Sequence, residues 1–471
     1  MTRNRWLILA NVSVGTFMAT LDGSIANVAL PTISAELGAP VHVVQWVLTS
    51  YLLTICATLP IAGKISDLLG RGRIYNYGFI AFAVGSAMCA LADSLALLIV
   101  SRIVQALGAS CLMANSQAIV AEAFGANERG RAMGITGTTV SLGSLSGPAL
   151  GGVLVGQLGW ESIFWINVPI GMIGFLAGLY LLPRAKAAKK GEPFDYTGSV
   201  LFMTGMVLFL YVLSNAQDWG WGSAWTLAGG LGSVLVLAAF YLYERRLTYP
   251  MLDFSLYRIR AFAVGNTTAL LSFVALFCMN VMMPFYMQNV LGYSPEQTGY
   301  TMMVNPLTMA VVAPISGWLS DRFGPNWLTT AGLLVNASAF ALLNTLTADE
   351  SAGVLAAHLA LFGLGGGLFQ SPNNASVMGA VPKPRLGTAG GLNALVRNIG
   401  MVTGIAVSVS LYSSVLGHVA GQGGEASAQP DGGAMLTALH AVFWTAAGIC
   451  LLALFVSVRR FSSRAARADG A

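Results

Sequence analysis

VVQWVLTSYLLTICATLPIAGKISDLLGRGR, residues 43–73, joins an apolar run to a short loop crowded with cations. A helix needs about 20 apolar residues to cross the hydrocarbon layer, and Val43 to Gly63 supply them. Lys64, Arg71 and Arg73 then mark the loop as one kept on the cytoplasmic side, because Lys and Arg near span ends resist translocation. Working outward, the other stretches of this kind lie near 6–30, 74–92, 95–120, 132–157, 162–182, 197–215, 224–243, 262–290, 296–319, 327–347, 353–377, 388–416 and 435–458. With 43–63 this reading gives fourteen spans, and all but two of the 24 Lys and Arg residues then fall in alternate, same-side loops. The opposite loops carry only acids, at Glu36, Asp93, Glu161, Asp218, Glu296, Asp349, Glu350, Glu425 and Asp431. The expected protein is a multi-pass, all-α protein of the plasma (inner) membrane with both termini cytoplasmic.

Composition fits a membrane solvent. Charged residues make up 9% of the chain, against about 25% in ordinary soluble domains, and mean hydropathy is +0.70. The net charge of +5 sits in the inside loops, so it argues for no nucleic-acid partner. Arg3 and Arg5 precede an apolar run as in a signal peptide, but the length of that run and Asp22 within it indicate a retained first span. Cys56, Cys89, Cys111, Cys278 and Cys450 lie singly in apolar stretches, and His42, His358, His418 and His440 lack metal-ligand spacing. With no G-x-x-x-x-G-K-[ST] loop either, no cofactor, metal or catalytic set is expected.

Gly63-Lys64-Ile65-Ser66-Asp67-Leu68-Leu69-Gly70 after the second span is echoed by Gly317-Trp318-Leu319-Ser320-Asp321-Arg322-Phe323-Gly324 after the tenth. An internal repeat of this sort marks halves that rock about a central site. Spans seven and eight have no counterpart and read as an inserted hairpin. The expected layout is two pseudo-symmetric six-helix bundles, 1–183 and 251–471, with a basic linker and two extra helices in 184–250. Longer outer loops are expected at 31–42 and 417–434.

Three charges lie deep within spans: Asp22, Arg102 and Arg397. A charge at mid-bilayer costs roughly 2.5–3.5 kcal/mol on insertion scales, so each needs a partner, an aqueous cavity or a function. An ionisable group within a span suits Asp22 to proton exchange; the alternative is a fixed ion pair with Arg102. Arg397 could bond backbone carbonyls or Asn393, position a substrate, or snorkel toward the interface. Gly143, Gly147 and Gly151 recur every four residues and make one smooth helix face, with Gly152 beside it and Pro148 permitting a bend. They serve gating or ordinary packing. Polar candidates for a substrate cavity are Asn27, Gln105, Asn115, Asn305, Gln370, Asn373 and Asn393, which interhelical packing explains equally. Trp46, Phe277, Met279, Met282, Met283, Phe285, Tyr286 and Phe369 include possible lining for an adaptable apolar cavity.

Several of these segments together resemble the major facilitator superfamily, and within it the fourteen-helix drug:proton antiporters. Leu21 to Pro31 resembles that family's span-one motif, whose aspartate, here Asp22, is associated with proton coupling. Gly63 to Arg73 resembles the loop motif G-x-L-x-D-x-x-G-R-x-R, with Ile65 for Leu and Leu68 where an Arg is common. The resemblance implies conformational roles for Gly63, Asp67, Gly70, Arg71 and Arg73, with Asp67 latching the inner sides of the bundles. Arg102-Ile103-Val104-Gln105 is similar to the span-four motif, whose Arg is implicated in proton transfer; Ala106 replaces its usual Gly. Gly134, Gly143, Gly147-Pro148 and Gly151-Gly152 match the antiporter motif G-x8-G-x3-G-P-x2-G-G in full. Trp160 to Gly171 is similar to the span-six entry, with Glu161 and Ser162 for Arg-Trp.

The resemblance implies a proton-coupled antiporter that exports small amphipathic organic compounds by alternating access, as multidrug efflux and antibiotic-resistance carriers do. A dedicated exporter or flippase of one natural product or lipid would share every motif, and a receptor or membrane enzyme is the remote rival. The implied partners are a small-molecule substrate, protons and membrane lipid; the sequence specifies no protein partner.

Overall fold

The computed structural model describes residues 2–39, 41–124, 128–182, 194–248, 250–382, 385–422 and 432–459. Most of the basic linker before Tyr196 and residues 423–431 of the second long outer loop lie outside these. Among the described residues the regular structure is entirely helical, since a chain in lipid must satisfy its backbone within each segment. In the first half run α1 (Thr2–Glu36), α2 (Val41–Val44), α3 (Trp46–Leu69), α4 (Arg71–Ala90), α5 (Leu95–Ala123), α6 (Arg129–Leu158), α7 (Ser162–Trp165) and α8 (Asn167–Leu181). A hairpin follows, α9 (Tyr196–Trp219) and α10 (Ala224–Glu244). Then come α11 (Arg260–Phe285), α12 (Pro295–Met302), α13 (Val304–Phe323), α14 (Pro325–Leu343), α15 (Ala352–Gly379), α16 (Leu386–Gln422) and α17 (Gly432–Val458).

Twelve of these helical segments are long and apolar enough to cross a membrane. Of the fourteen expected spans, the two missing from that set are α4 and α6, of 20 and 30 residues. Both have sufficient length, but α4 carries Arg71, Arg73 and Asn76, and α6 carries Arg129, Arg131 and a run of Gly, Ser and Thr. Two outer loops are shorter than expected. Helix α1 continues through 31–36 because Ile33 is buried in the core beside Val44 and Trp160, and α16 runs on to Gln422.

The repeated loop sequence has a repeated structure. Gly70 ends α3 at φ +103° and its N–H reaches Ser66 O at 2.8 Å; Gly324 ends α13 at φ +84° and its N–H reaches Ser320 O at 2.9 Å. Only glycine adopts such positive φ without strain, so Ser-Asp-x-x-Gly stops a helix at the same place in each half.

Cα proximity divides the chain into two units, Met1–Leu256 with Val381–Asn398, and Tyr257–Ala380 with Ile399–Ala471. In the first, α1 packs on α6, α5 and α8, α4 on α5 and α8, and α3 on α5. The hairpin α9–α10 belongs to this unit and packs through α9 on α3, with Trp46 and Tyr211 ring centroids 5.4 Å apart. In the second, α13 and α14 pack on α15, and α11 and α14 on α17. Its core holds Met279, Met282, Met283, Tyr286, Phe340, Phe362 and Phe443. Three of the methionines proposed as cavity lining are therefore fully buried core, and so are Tyr286 and Phe369.

Candidate functional site

Asp22 lies about three-fifths of the way along α1, and no part of its side chain is exposed. Its Oδ2 is ion-paired with Arg102 Nη1 from α5. Its Oδ1 accepts from Gln105 Nε2 at 2.8 Å and from Asn167 Nδ2, at the start of α8, at 2.9 Å. Both carboxylate oxygens are thus satisfied by donors from two other helices, the condition under which a buried charge becomes tolerable. Gln105 is one turn beyond Arg102, so both side chains leave α5 on one face. Its Nε2 also donates to Ser86 Oγ on α4 at 2.8 Å.

Arg102 is equally enclosed and has more than one anchor. Nε donates to Val47 O at 3.0 Å and Nη1 also to Gln105 Oε1 at 2.6 Å, while Nη2 has no hydrogen-bond partner. The guanidinium carbon stands 4.1 Å from the Tyr51 ring centroid and 5.5 Å from that of Phe164, so two ring faces meet the cation. Tyr51 is held by its hydroxyl, which donates to Ala19 O at 3.2 Å. The ion pair open from sequence is formed here. It is set in a network that leaves Arg102 with contacts of its own.

The glycine face of α6 rests on the turn of α1 that carries this aspartate. A Cβ on Gly143 would stand 2.1 Å from Thr20 Oγ1, and one on Gly147 would stand 1.9 Å from Ser24 Oγ and 2.9 Å from Ile25 N. Ser24 Oγ lies 3.3 Å from Gly143 O. Gly151 and Gly152 continue α6 and are buried; Pro148 lies within the helix, with its side chain outside the described residues. The second unit repeats this device. A Cβ on Gly400 or Gly404 of α16 would meet Leu270 O at 3.0 Å or Val274 O at 2.5 Å on α11.

In the loop motif, Asp67 Oδ1 accepts from Arg71 Nε at 2.8 Å, and Arg71 is also ion-paired with Glu122 of α5. Asp67 is therefore engaged inside the first unit, on an arginine one turn away. Gly63 approaches Ala114 with ordinary room for a methyl, Gly70 is the helix stop described above, and Arg73 is exposed.

The polar cavity candidates scatter. Gln105 belongs to the aspartate network, because its position one turn past Arg102 aims it inward. Asn115 is buried with Nδ2 on Cys111 O of its own helix at 2.8 Å, and Asn373 Nδ2 bridges to Gly265 O at 3.1 Å, both packing roles. Asn305 and Asn393 are buried, Gln370 is half-buried and Asn27 is exposed. Arg397 is half-buried, and neither the carbonyl bonds nor the Asn393 bond open to it from sequence is made among the described residues. Sequence reasoning missed Asn167, Ser86 and Tyr51 as members of the site. Asn167 lies within the quoted span-six segment; nothing in the sequence distinguishes Ser86.

Residues 12–405 and 265–470 match the family model of the Major Facilitator Superfamily. The chain is 35% identical over 456 residues to the riboflavin transporter RibZ of Clostridioides difficile (strain 630), covering 97% of each. It is 33% identical over 416 residues to the tetracenomycin C resistance and export protein of Streptomyces glaucescens, covering 88% of this chain and 77% of that protein. Among solved structures, the human organic anion transporter MFSD10 (TETRAN) superposes with TM-score 0.68 at 18% identity over 96% of this chain and 99% of that one. At such identity the likeness concerns the fold.

Proposed function

Since the chain belongs to the major facilitator superfamily, and is thus a multi-pass membrane transporter of small molecules and not an enzyme, we propose that it exports amphipathic organic compounds in exchange for protons. The buried Asp22–Arg102–Gln105–Asn167 network carries this reading. A proton arriving on Asp22 Oδ2 cancels the ion pair. Arg102 then keeps Gln105 Oε1, Val47 O and the Tyr51 and Phe164 faces, so the cation has somewhere to rest when its anion is gone. The tie between α1 and α5 weakens at that step, and α1 is the helix on which Gly143 and Gly147 of α6 rest. Protonation is in this way linked to helix movement, as alternating access requires.

The same reading takes α4 and α6 as membrane spans, giving fourteen crossings with both termini cytoplasmic, and the layout of two bundles around an inserted hairpin. The relative named for tetracenomycin C resistance and export supports outward transport of an organic compound. The test is Asp22→Asn in everted vesicles carrying an imposed pH gradient, with a panel of dyes and antibiotics as probes. The variant should reach the membrane in normal amount and show no compound-induced proton movement. Unaltered gradient-driven transport would remove Asp22 from the coupling.

One observation favours a second reading. The named riboflavin transporter matches over 97% of both chains, where the drug-export relative covers less. A carrier dedicated to one planar heterocycle follows, and labelled riboflavin moving in vesicles while the dye panel stays still would select it.

A further inference from the structure

Two arginines lie inside the spans, and their surroundings differ. Arg102 has a carboxylate, a side-chain amide oxygen, a carbonyl and two rings. Arg397 makes no hydrogen bond, ion pair or ring contact among the described residues. Its five N–H donors find no partner among the described residues, although an unpaired charge is the costliest group to keep in a membrane. Nor does the surrounding sequence offer an acid. Between Ile259 and Val458 the acids are Glu296, Asp321, Asp349, Glu350, Glu425 and Asp431, all at helix ends or in connections.

The placement of Arg397 disfavours simple snorkelling. It is eleven residues into α16, about 16 Å along the axis at 1.5 Å per residue, beyond the reach of its side chain back to the helix start. Gly390, seven residues earlier, meets the Gln117 side chain of α5, and Gly400 and Gly404, three and seven residues later, rest on α11. Residues at those spacings share one face of a helix, so Arg397 stands on the face that α16 turns toward protein. It is nonetheless part-exposed, so its donors open onto accessible space. Gln117 Oε1, at the Gly390 contact, is another buried polar atom without a partner.

We propose that the guanidinium of Arg397 receives an anionic group of the transported compound, making the cargo a small amphipathic acid with a carboxylate or similar oxyanion. The assignment rests on the exporter reading and names its substrate class. A planar fork of donors suits a two-oxygen anion. A lipophilic cation finds no carboxylate to meet in the second-half spans, and this arginine repels it.

The test uses the purified full chain and three probes of one shape: naphthylacetate, its carboxamide and naphthylethylammonium. Binding is read by tryptophan quenching in neutral detergent, for wild type, Arg397→Gln and Arg397→Lys. The wild type should bind the acid about tenfold or more tighter than the amide, with the cation weakest. Arg397→Gln should erase that ratio and Arg397→Lys should restore part of it. A wild type that binds acid and amide alike, or binds neither, overturns the assignment, as does a preference that survives in Arg397→Gln. A second arm compares nanodiscs of phosphatidylcholine with and without phosphatidylglycerol. If Arg397→Gln alters only stabilisation by phosphatidylglycerol, the anion is a lipid headgroup and the cargo assignment fails. Asp22-dependent proton movement is measured separately: its persistence without an acid preference removes the role of Arg397 alone, and its loss alongside intact acid binding removes the exporter reading.

Discussion

Replacing Gly147 with alanine puts one methyl group where two helices touch backbone to backbone. That methyl would stand 1.9 Å from Ser24 Oγ, 2.7 Å from Ser24 Cβ and 2.9 Å from Ile25 N. Rotation of Ser24 can relieve the first contact, at the expense of the bonds its hydroxyl makes to Leu21 O at 2.9 Å and Gly143 O at 3.3 Å. The other two belong to the rigid part of α1, so α1 and α6 must separate by roughly half to one ångström to reach ordinary contact. Overpacking of this size costs about 1–3 kcal/mol. The partner variant Ser24→Gly deletes both Ser24 atoms and leaves the 2.9 Å approach to Ile25 N as the nearest. In that background the increment from Gly147→Ala should fall below about 1 kcal/mol. The assay is thermal unfolding of the detergent-solubilised protein, read as loss of the monodisperse peak, with gradient-driven efflux measured alongside. Equal destabilisation in both backgrounds, or none in the first, would show that the glycine face does not hold α6 on the Asp22 turn.

Arg102→Leu strands the Asp22 carboxylate with only Gln105 and Asn167 as donors, and should destabilise by about 3–5 kcal/mol; combined with Asp22→Asn the loss should be well short of the sum, and additive effects would deny the coupling. Gly324→Ala should cost about 1–3 kcal/mol although nothing lies within 4 Å of the added methyl, because φ is +84° there. Gly230→Ala, equally uncrowded but inside α10, should stabilise by up to about 1 kcal/mol, and matching shifts at the two sites would rule out the backbone explanation.

Most of the helix ladder was legible because lipid imposes one local rule on nearly every stretch, enough apolar residues in a row, which all the expected spans but α4 and α6 meet. Thus 224–243 is found as Ala224–Glu244 and 353–377 as Ala352–Gly379. The glycine periodicity of α6 was legible for a related reason, since spacing by four fixes a face whatever it touches. The helix stops at Gly70 and Gly324 could be paired through the shared Ser-Asp-x-x-Gly, a local motif again.

Partners were another matter. That Asp22 and Arg102 were both costly in lipid followed from sequence, as did their possible pairing, because each charge needed relief. That Gln105 and Asn167 complete the shell did not, for they lie 83 and 145 residues from Asp22 and carry amides indistinguishable from the packing amides of Asn115 and Asn373. The chain alone determined that Asp22 and Arg102 had to be accommodated within spans and on which helices; that Lys64 and Glu244 are also buried while Arg397 is half-buried did not follow from it. Only the tertiary structure decided that one arginine is surrounded by partners while Arg397 has none among the described residues, since hydrogen bonding depends on distances between helices that no periodicity along one helix can specify.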